Sequence, residues 1–174
     1  SVAGDVARLE AIREAVGPSI ALRADANGAW SPAEAREALS AFESIGVEYV
    51  EQPLPAEDLG GHVALAGGTV GIAFDETIAE LGVDAVLEPG AGNVPGDGVG
   101  DVVILKPMVL GGPTRTVEIA SRARAAEMEP VVTTTVDGVV ARTGAVHCTA
   151  AIPDPAPAGL ATGDRLAADL ASDP

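Results

Sequence analysis

The strongest constraint on this chain of 174 residues is a rhythm. Short, continuously apolar stretches begin near residues 20, 47, 70, 101 and 130, and each is followed by a segment whose apolar residues recur at helical spacing. The interval fits one strand, one helix and two turns, and strands apolar on both faces belong in a parallel sheet covered on both sides. Strands are expected at 20–24, 47–50, 70–74, 101–105 and 130–134. A first helix is expected from Asp5, with Val6, Leu9, Ile12 and Val16 on one side and a stop at Gly17-Pro18. In "SPAEAREALSAFESIG" (31–46), Ser31 and Glu34 have capping-box spacing and Pro32 takes the first helical position. Ala35, Leu39, Phe42 and Ile45 line its inner face, and Gly46 ends it. Further helices are expected near 57–66, 77–87, 113–127 and 138–151. "EPGAGNVPGDGVGD" (88–101) interrupts the rhythm as a Gly-rich surface loop, too irregular for a phosphate cradle.

Five strand–helix units, a leading helix and one more strand near 159–161 fall short of eight, and a closed barrel takes about 250 residues. A small open α/β sheet is one solution. The opening helix with no strand before it, and the stop in "DRLAADLASDP", favour another: an α/β fold in which residues 1–174 form part of a TIM-type (β/α) barrel lacking its first strands. Open strand edges would then promote self-association.

Composition narrows the class. Hydrophobic residues make up 47% and aromatics only 2%, so the core must be built from Ala, Val, Leu and Ile. No apolar run approaches the roughly 18 residues of a membrane span, and nothing resembles a signal peptide. One cysteine, Cys148, rules out an internal disulfide framework and fits the cytoplasm. A net charge of −16 argues against nucleic acid as a partner. Lys106 is the only lysine among ten cationic residues, and many acids with so little lysine suggest a high-salt or GC-rich source.

The strand ends carry the chemistry. The first strand ends at Asp25, the second at Glu51, the third at Asp75-Glu76, the fourth at Lys106 and the fifth in Thr133 to Thr135. In parallel folds these ends form one rim, where sites are built. Neighbouring strands lie about 4.8 Å apart, so three acids on adjacent ends would repel one another unless a cation sat among them. Oxygen ligands with no histidine or cysteine nearby select a hard cation, and magnesium fits best. Lys106 beside it could transfer a proton or stabilise developing negative charge.

Each residue has a plainer reading. A single acid after a strand is ordinarily a helix cap or a solvated loop residue, Asp75-Glu76 before Thr77 could simply begin a helix, and Lys106 alone could be a surface charge. His62 and His147 fall on helices and read as structural. Cys148 follows His147 directly, and helix neighbours point about 100° apart, so the two do not form a catalytic pair. Trp30 and Phe74 flank the acids; Trp30 could wall a pocket, while core packing suits Phe74. "GLATGDRL" (159–166) has loop glycines and no compelling signature.

"LRADANGAW", "YVEQPL", "IAFDETI" and "VVILKPMVLGG" resemble, in order and spacing, the barrel domain of the enolase superfamily, in its muconate-lactonizing-enzyme-like branch. Within that branch the likeness is to the o-succinylbenzoate synthase family, which "VVTTTVDGVVARTGAVHCTAAI" and "GLATGDRLAADL" also resemble. The resemblance implies that Asp25, Glu51 and Asp75 bind Mg2+, that Asn27 matches the asparagine two residues after the first ligand, and that Gln52-Pro53 match the pair after the second. It implies that Lys106 stabilises an enediolate, that Thr134 and Thr135 contact a small carboxylate substrate, and that the reaction is a lyase step of menaquinone biosynthesis. This step is syn-elimination of water from 2-succinyl-6-hydroxy-2,4-cyclohexadiene-1-carboxylate.

The chain also departs from that pattern. The family's proton-abstracting lysine belongs to a Lys-x-Lys motif on the second barrel strand, and no lysine precedes Lys106 here. The amino-terminal capping domain that supplies specificity is absent as well. The expectation is a fragment or degraded copy with little activity alone. Two rivals stand beside it. One is a dipeptide epimerase or N-acylamino acid racemase of the same superfamily, although "PAPAGLATGDRL" lacks the expected Asp-x-Asp. The other is a non-catalytic α/β module.

Overall fold

A computed structural model describes residues 1–88 and 100–171. Most of the Gly-rich stretch 88–101 therefore lies outside the described residues. The chain divides into two compact units, Ser1–Val102 and Val103–Pro174. Among the described residues, no helix is long and apolar enough to cross a membrane.

The first unit holds helix α1 (Val2–Val16), strand β1 (Leu22–Asp25), α2 (Pro32–Ile45), β2 (Val47–Glu51), α3 (Leu59–Val63), β3 (Gly71–Phe74), α4 (Glu76–Leu81) and α5 (Val83–Leu87). Its strands lie in the order β1-β2-β3, and both pairs are parallel. The expected 77–87 helix is two short helices because Gly82, at φ 86°, breaks it. The segment expected at 57–66 is helical only over α3.

Helix α2 forms as its sequence dictates. The Glu34 carboxylate accepts from the Ser31 backbone N–H at 2.9 Å, and Ser31 Oγ accepts from the Glu34 N–H at 3.4 Å. Gly46 closes the helix in the left-handed conformation at φ 74°. Ala35, Ala38, Phe42 and Ile45 are buried, while Leu39 is only partly so. Phe42 and Ile45 join Leu9, Leu22, Val47, Val50 and Val70 in an aliphatic core, and Trp30 meets the Phe42 ring edge-on at 5.9 Å.

Helix α1 departs from expectation. It starts at Val2 and not at Asp5, and Ile12 and Val16 are 38% and 41% exposed, so its apolar stripe is buried only around Val2 and Leu9. Arg13 holds its C-terminal end. The guanidinium donates to the carbonyls of Gly17, Ile20, Ile45 and Gly46 at 2.6 to 2.9 Å, satisfying acceptors at the ends of both α1 and α2.

The second unit holds β4 (Val102–Leu105, its first residue at the boundary), α6 (Pro107–Leu110), α7 (Pro113–Ala125), β5 (Glu129–Val132) and α8 (Val139–Ala151), with a 3₁₀ turn at Gly163–Arg165. All four residues of β4 are buried. The short α6 was not expected. Pro107 at its first position seeds a single turn, which Gly111 stops at φ 94°. The expected strand at 159–161 reduces to one bridge between Gly159 and Thr133. Helix α8 begins after Gly138, which offers no capping side chain, and Asp169 takes that role. Its carboxylate accepts from the Val139 N–H at 3.0 and 2.8 Å and pairs with the buried Arg142 at 2.9 Å. Those backbone bonds, then the Leu170 N–H and Arg142, hold the Asp169 carboxyl below the usual carboxylate range.

Replacing Ser31 by alanine should destabilise the chain by about 1 kcal/mol, the usual worth of an N-cap, with the fold retained. Chemical denaturation of both proteins would check it; an unchanged midpoint would mean the capping box contributes nothing.

Candidate functional site

Asp25 and Glu51 are the last residues of β1 and β2, and they stand opposite each other as register partners. Glu51 also pairs with Ala73, so Asp75, just past β3, lies two residues further along. Two residues of strand amount to roughly 6.6 Å and return the side chain to the same face. The three acids thus sit at consecutive strand ends of the first unit, two level and one a step above.

Their surroundings differ. Asp25 is exposed, and its carboxylate accepts from the Asn27 N–H at 2.8 Å in a turn that puts Asn27 at φ 48°. Backbone bonds tie that turn to the second strand end: Ala26 N–H to the Glu51 carbonyl, Gly28 N–H to Gln52, and Trp30 N–H to Pro53. Gly28 has φ 67°, and a Cβ there would stand 3.2 Å from the Leu54 carbonyl oxygen, so the close approach requires glycine. Glu51 is half-buried and Asp75 is 8% exposed. Asp75 occupies the N-cap position of α4, yet its side chain makes no capping hydrogen bond. Asp75 and Glu76 do begin a helix, as the plain reading has it, but the Asp75 side chain makes no capping bond there.

The donor chemistry fits a hard cation: carboxylate oxygens on adjacent strand ends, with neither imidazole nor thiolate among them. Among the described residues, no group of three or more His, Cys, Asp or Glu is already gathered tightly enough to hold a metal. A cavity of about 320 Å³ beside Asp25 is lined by Asp5, Arg8, Trp30 and Phe42, so Trp30 does wall a pocket.

Behind these acids lies a network that sequence reasoning missed. Gln52 is fully buried at φ 43°, although Pro53 follows it. Its Oε1 accepts from the N–H groups of Asp75 (3.2 Å) and Thr77 (3.1 Å). Its Nε2 donates to Thr77 Oγ1 (2.8 Å) and the Leu54 carbonyl (3.0 Å), and lies 3.2 Å from His62 Nε2. Backbone N–H groups only donate and carbonyls only accept, so these partners fix the orientation of the amide. The same logic fixes His62. Its Nδ1 lies 2.8 Å from the Asp58 carbonyl and must carry the proton, leaving the one Nε2 lone pair to be shared by Gln52 at 3.2 Å and the Leu54 N–H at 3.4 Å. Burial pushes the His62 pKa down, against the Asp58 carbonyl and carboxylate, which raise it. His62 is structural, as expected, but it stands behind the second strand end and its ring meets Phe74 at 5.2 Å. The one available signal was a glutamine between a strand-end acid and a proline, with a histidine ten residues on.

In the second unit, Lys106 follows β4, half-buried, and its carbonyl accepts from Val109 and Leu110 in the turn of α6. Thr134 and Thr135 lie beyond β5 rather than on it. Thr134 is buried and bonded to the Gly159 carbonyl and to Thr162 Oγ1 (3.0 Å), and Thr135 bonds through N–H and hydroxyl to Asp137. Cys148 is buried, which pushes its thiol pKa up, while His147 is exposed, so the two face apart as expected.

As pH falls below about 6.5, the unfolded chain takes a proton that buried His62 refuses, so stability is full above that value and declines towards the lowered folded pKa. Calorimetric melts between about pH 7 and 5.5 should show Tm falling with pH, less steeply in His62→Gln. Equal slopes would assign the decline to other groups.

Comparison with known proteins places this geometry. The enolase C-terminal domain-like family matches residues 1–174. The o-succinylbenzoate synthase of Thermobifida fusca is 35% identical over 175 residues, covering 100% of this chain and 52% of that protein. A hydrophobic dipeptide epimerase of Enterococcus faecalis is 50% identical over 60 residues, 34% of this chain and 17% of that protein. The dipeptide epimerase from E. faecalis V583, solved with Mg and the dipeptide L-Leu-L-Tyr, superposes with a TM-score of 0.86 at 30% identity, covering 97% of this chain and 46% of that one. The chain thus spans about half the length of the synthase it matches. The α/β, barrel-type fold expected from the strand–helix rhythm is the fold found. The chain belongs to the enolase C-terminal domain-like family, whose matched relatives are enzymes.

Proposed function

We propose that this member of the enolase C-terminal domain-like family carries the metal-binding and lysine portion of an o-succinylbenzoate synthase-like, magnesium-dependent lyase. The observation that supports it most is the placement of Asp25, Glu51 and Asp75 at three consecutive strand ends, the first two in direct register and the third not spent on its own helix cap. The 35% identity to the T. fusca synthase over the whole chain favours this chemistry.

Asp25, Glu51 and Asp75 would hold Mg2+. When bound, the ion supplies Lewis-acid stabilisation of charge building on a substrate carboxylate as the adjacent proton leaves. Asn27, in the turn that Asp25 fixes, and Thr134 and Thr135 would contact the substrate. The Lys106 ammonium would stabilise the developing negative charge. The substrate is 2-succinyl-6-hydroxy-2,4-cyclohexadiene-1-carboxylate, which loses water to give 2-succinylbenzoate on the way to menaquinone in the cytoplasm. Lys106 is the only lysine of the 174 residues, so the base for the opposite face of the ring is not supplied by them. Residues 1–174 alone should turn over little or no substrate.

Dipeptide epimerisation is the second reading, favoured by the 50% identity over 60 residues and by the E. faecalis structure. It would use the same carboxylates and Lys106, so the strand ends do not discriminate.

Titration calorimetry in high salt should show one magnesium per chain, lost in Glu51→Gln. Equal binding by both proteins, or by neither, would overturn the triad. Assays of the chain with the cyclohexadiene substrate and with L,L-dipeptides should give no turnover above buffer. Epimerisation would overturn the lyase reading; dehydration would show that these residues supply the second base after all.

A further inference from the structure

We propose that Gln52 is a positioning residue for the cation site, a surrogate cap that takes the α4 N–H groups in place of the Asp75 side chain and holds the Asp75 backbone at a fixed offset from Glu51. The inference rests on the metal reading above and goes beyond it, since it concerns a side chain that is not a ligand.

A helix leaves its first backbone N–H groups without partners, and an aspartate at the N-cap normally turns its carboxylate back to accept from the second or third of them. Asp75 is at the N-cap of α4 and does not do so. The Thr77 N–H, which such a cap would satisfy, is taken instead by Gln52 Oε1 at 3.1 Å, and the same oxygen takes the Asp75 N–H at 3.2 Å. One amide oxygen from the neighbouring strand end does the work of the local cap, which the Asp75 side chain does not perform.

The amide has little freedom to do otherwise. Thr77 Oγ1 gives its own proton to the Ala56 carbonyl at 3.0 Å, so towards Gln52 it accepts. The amide nitrogen has two N–H groups for three acceptors, so Thr77 Oγ1, the Leu54 carbonyl and the acceptor face of His62, oriented through the Asp58 carbonyl, share them and leave none to turn elsewhere. Gln52 follows Glu51 directly, and its own N–H donates to the Ala73 carbonyl at 2.9 Å. One residue therefore reads the position of both strand ends at once. The positive φ at Gln52 is the conformation that carries its side chain inward while Glu51 stays half-buried at the strand end.

Magnesium binding to the full chain, measured by calorimetry, tests this in wild type, Glu51→Gln, Gln52→Met, Thr77→Val, Thr77→Ser and Ile45→Ala. The last is a core substitution away from the acids that serves as a stability control. Gln52→Met, which keeps the volume and loses the hydrogen bonds, should weaken magnesium by about 10- to 100-fold, as loss of a residue that orients metal ligands usually does. Thr77→Val should shift affinity in the same direction, Thr77→Ser should restore it, and Ile45→Ala should bind like wild type despite a lower Tm. Should Gln52→Met fail to fold, the two threonine variants carry the decision. Wild-type affinity in Gln52→Met and Thr77→Val would overturn the proposal and leave the triad standing. Weakening shared equally by Ile45→Ala would reduce Gln52 to a stability role and overturn it as well. Absence of magnesium binding in wild type would overturn the triad, and the positioning role with it, a failure visible in that arm alone.

Discussion

Gln52 bonds through its side chain to Leu54, His62, Asp75 and Thr77, and the local order of the first unit's strand ends depends on that one buried amide. A buried polar group without partners costs free energy, and a network satisfied only in part is worse than an apolar core. Here each atom of the amide is engaged. The histidine that supports it is held in one tautomer, and the backbone accepts a positive φ to bring the side chain inward. The surrounding core contains few aromatics and packs small aliphatic side chains, so shape alone specifies little. The amide adds direction, because hydrogen bonds have geometry and methyl groups do not.

How far the fold was legible follows from the range of the forces involved. Ser31, Pro32, Glu34 and Gly46 act within one turn of their own helix, and α2 was readable to the residue. The strands were readable because β4 is buried along its whole length, which leaves a continuous apolar run. Helix α1 misled because a stripe of apolar residues says that a face wants cover without saying whether cover is given at Ile12 and Val16. Residues 159–161 misled because a strand needs a neighbour along its length, and Gly159 finds one only at Thr133. The acids were legible as strand-end residues. Their partners were not, because the bond from Gln52 to Thr77 spans 25 residues, and no pattern in either segment announces it.

The same contrast separates chemistry from specificity. Carboxylates at strand ends state a class of chemistry, since only a few cations suit an all-oxygen site. Membership of the enolase C-terminal domain-like family agrees with that class. The relatives include a synthase and epimerases that act on unlike molecules, so the features shared by all of them cannot choose among substrates. The choice must come from side chains that touch the rest of the substrate. Thr134 and Thr135, proposed for that task, already engage their hydroxyls with Thr162, Gly159 and Asp137.

The cap on α8 has a bearing on how the second unit is made. Gly138 gives the helix no cap of its own, and the carboxylate that completes its first turn arrives 30 residues later, at Asp169. On the ribosome, α8 leaves the exit tunnel before its cap does. Its first turn gains the Asp169 carboxylate, and Arg142 that ion pair, only once residue 169 has been made and has folded back. The order of synthesis therefore separates the helix from its own cap, and the first turn is completed by a residue made well after it.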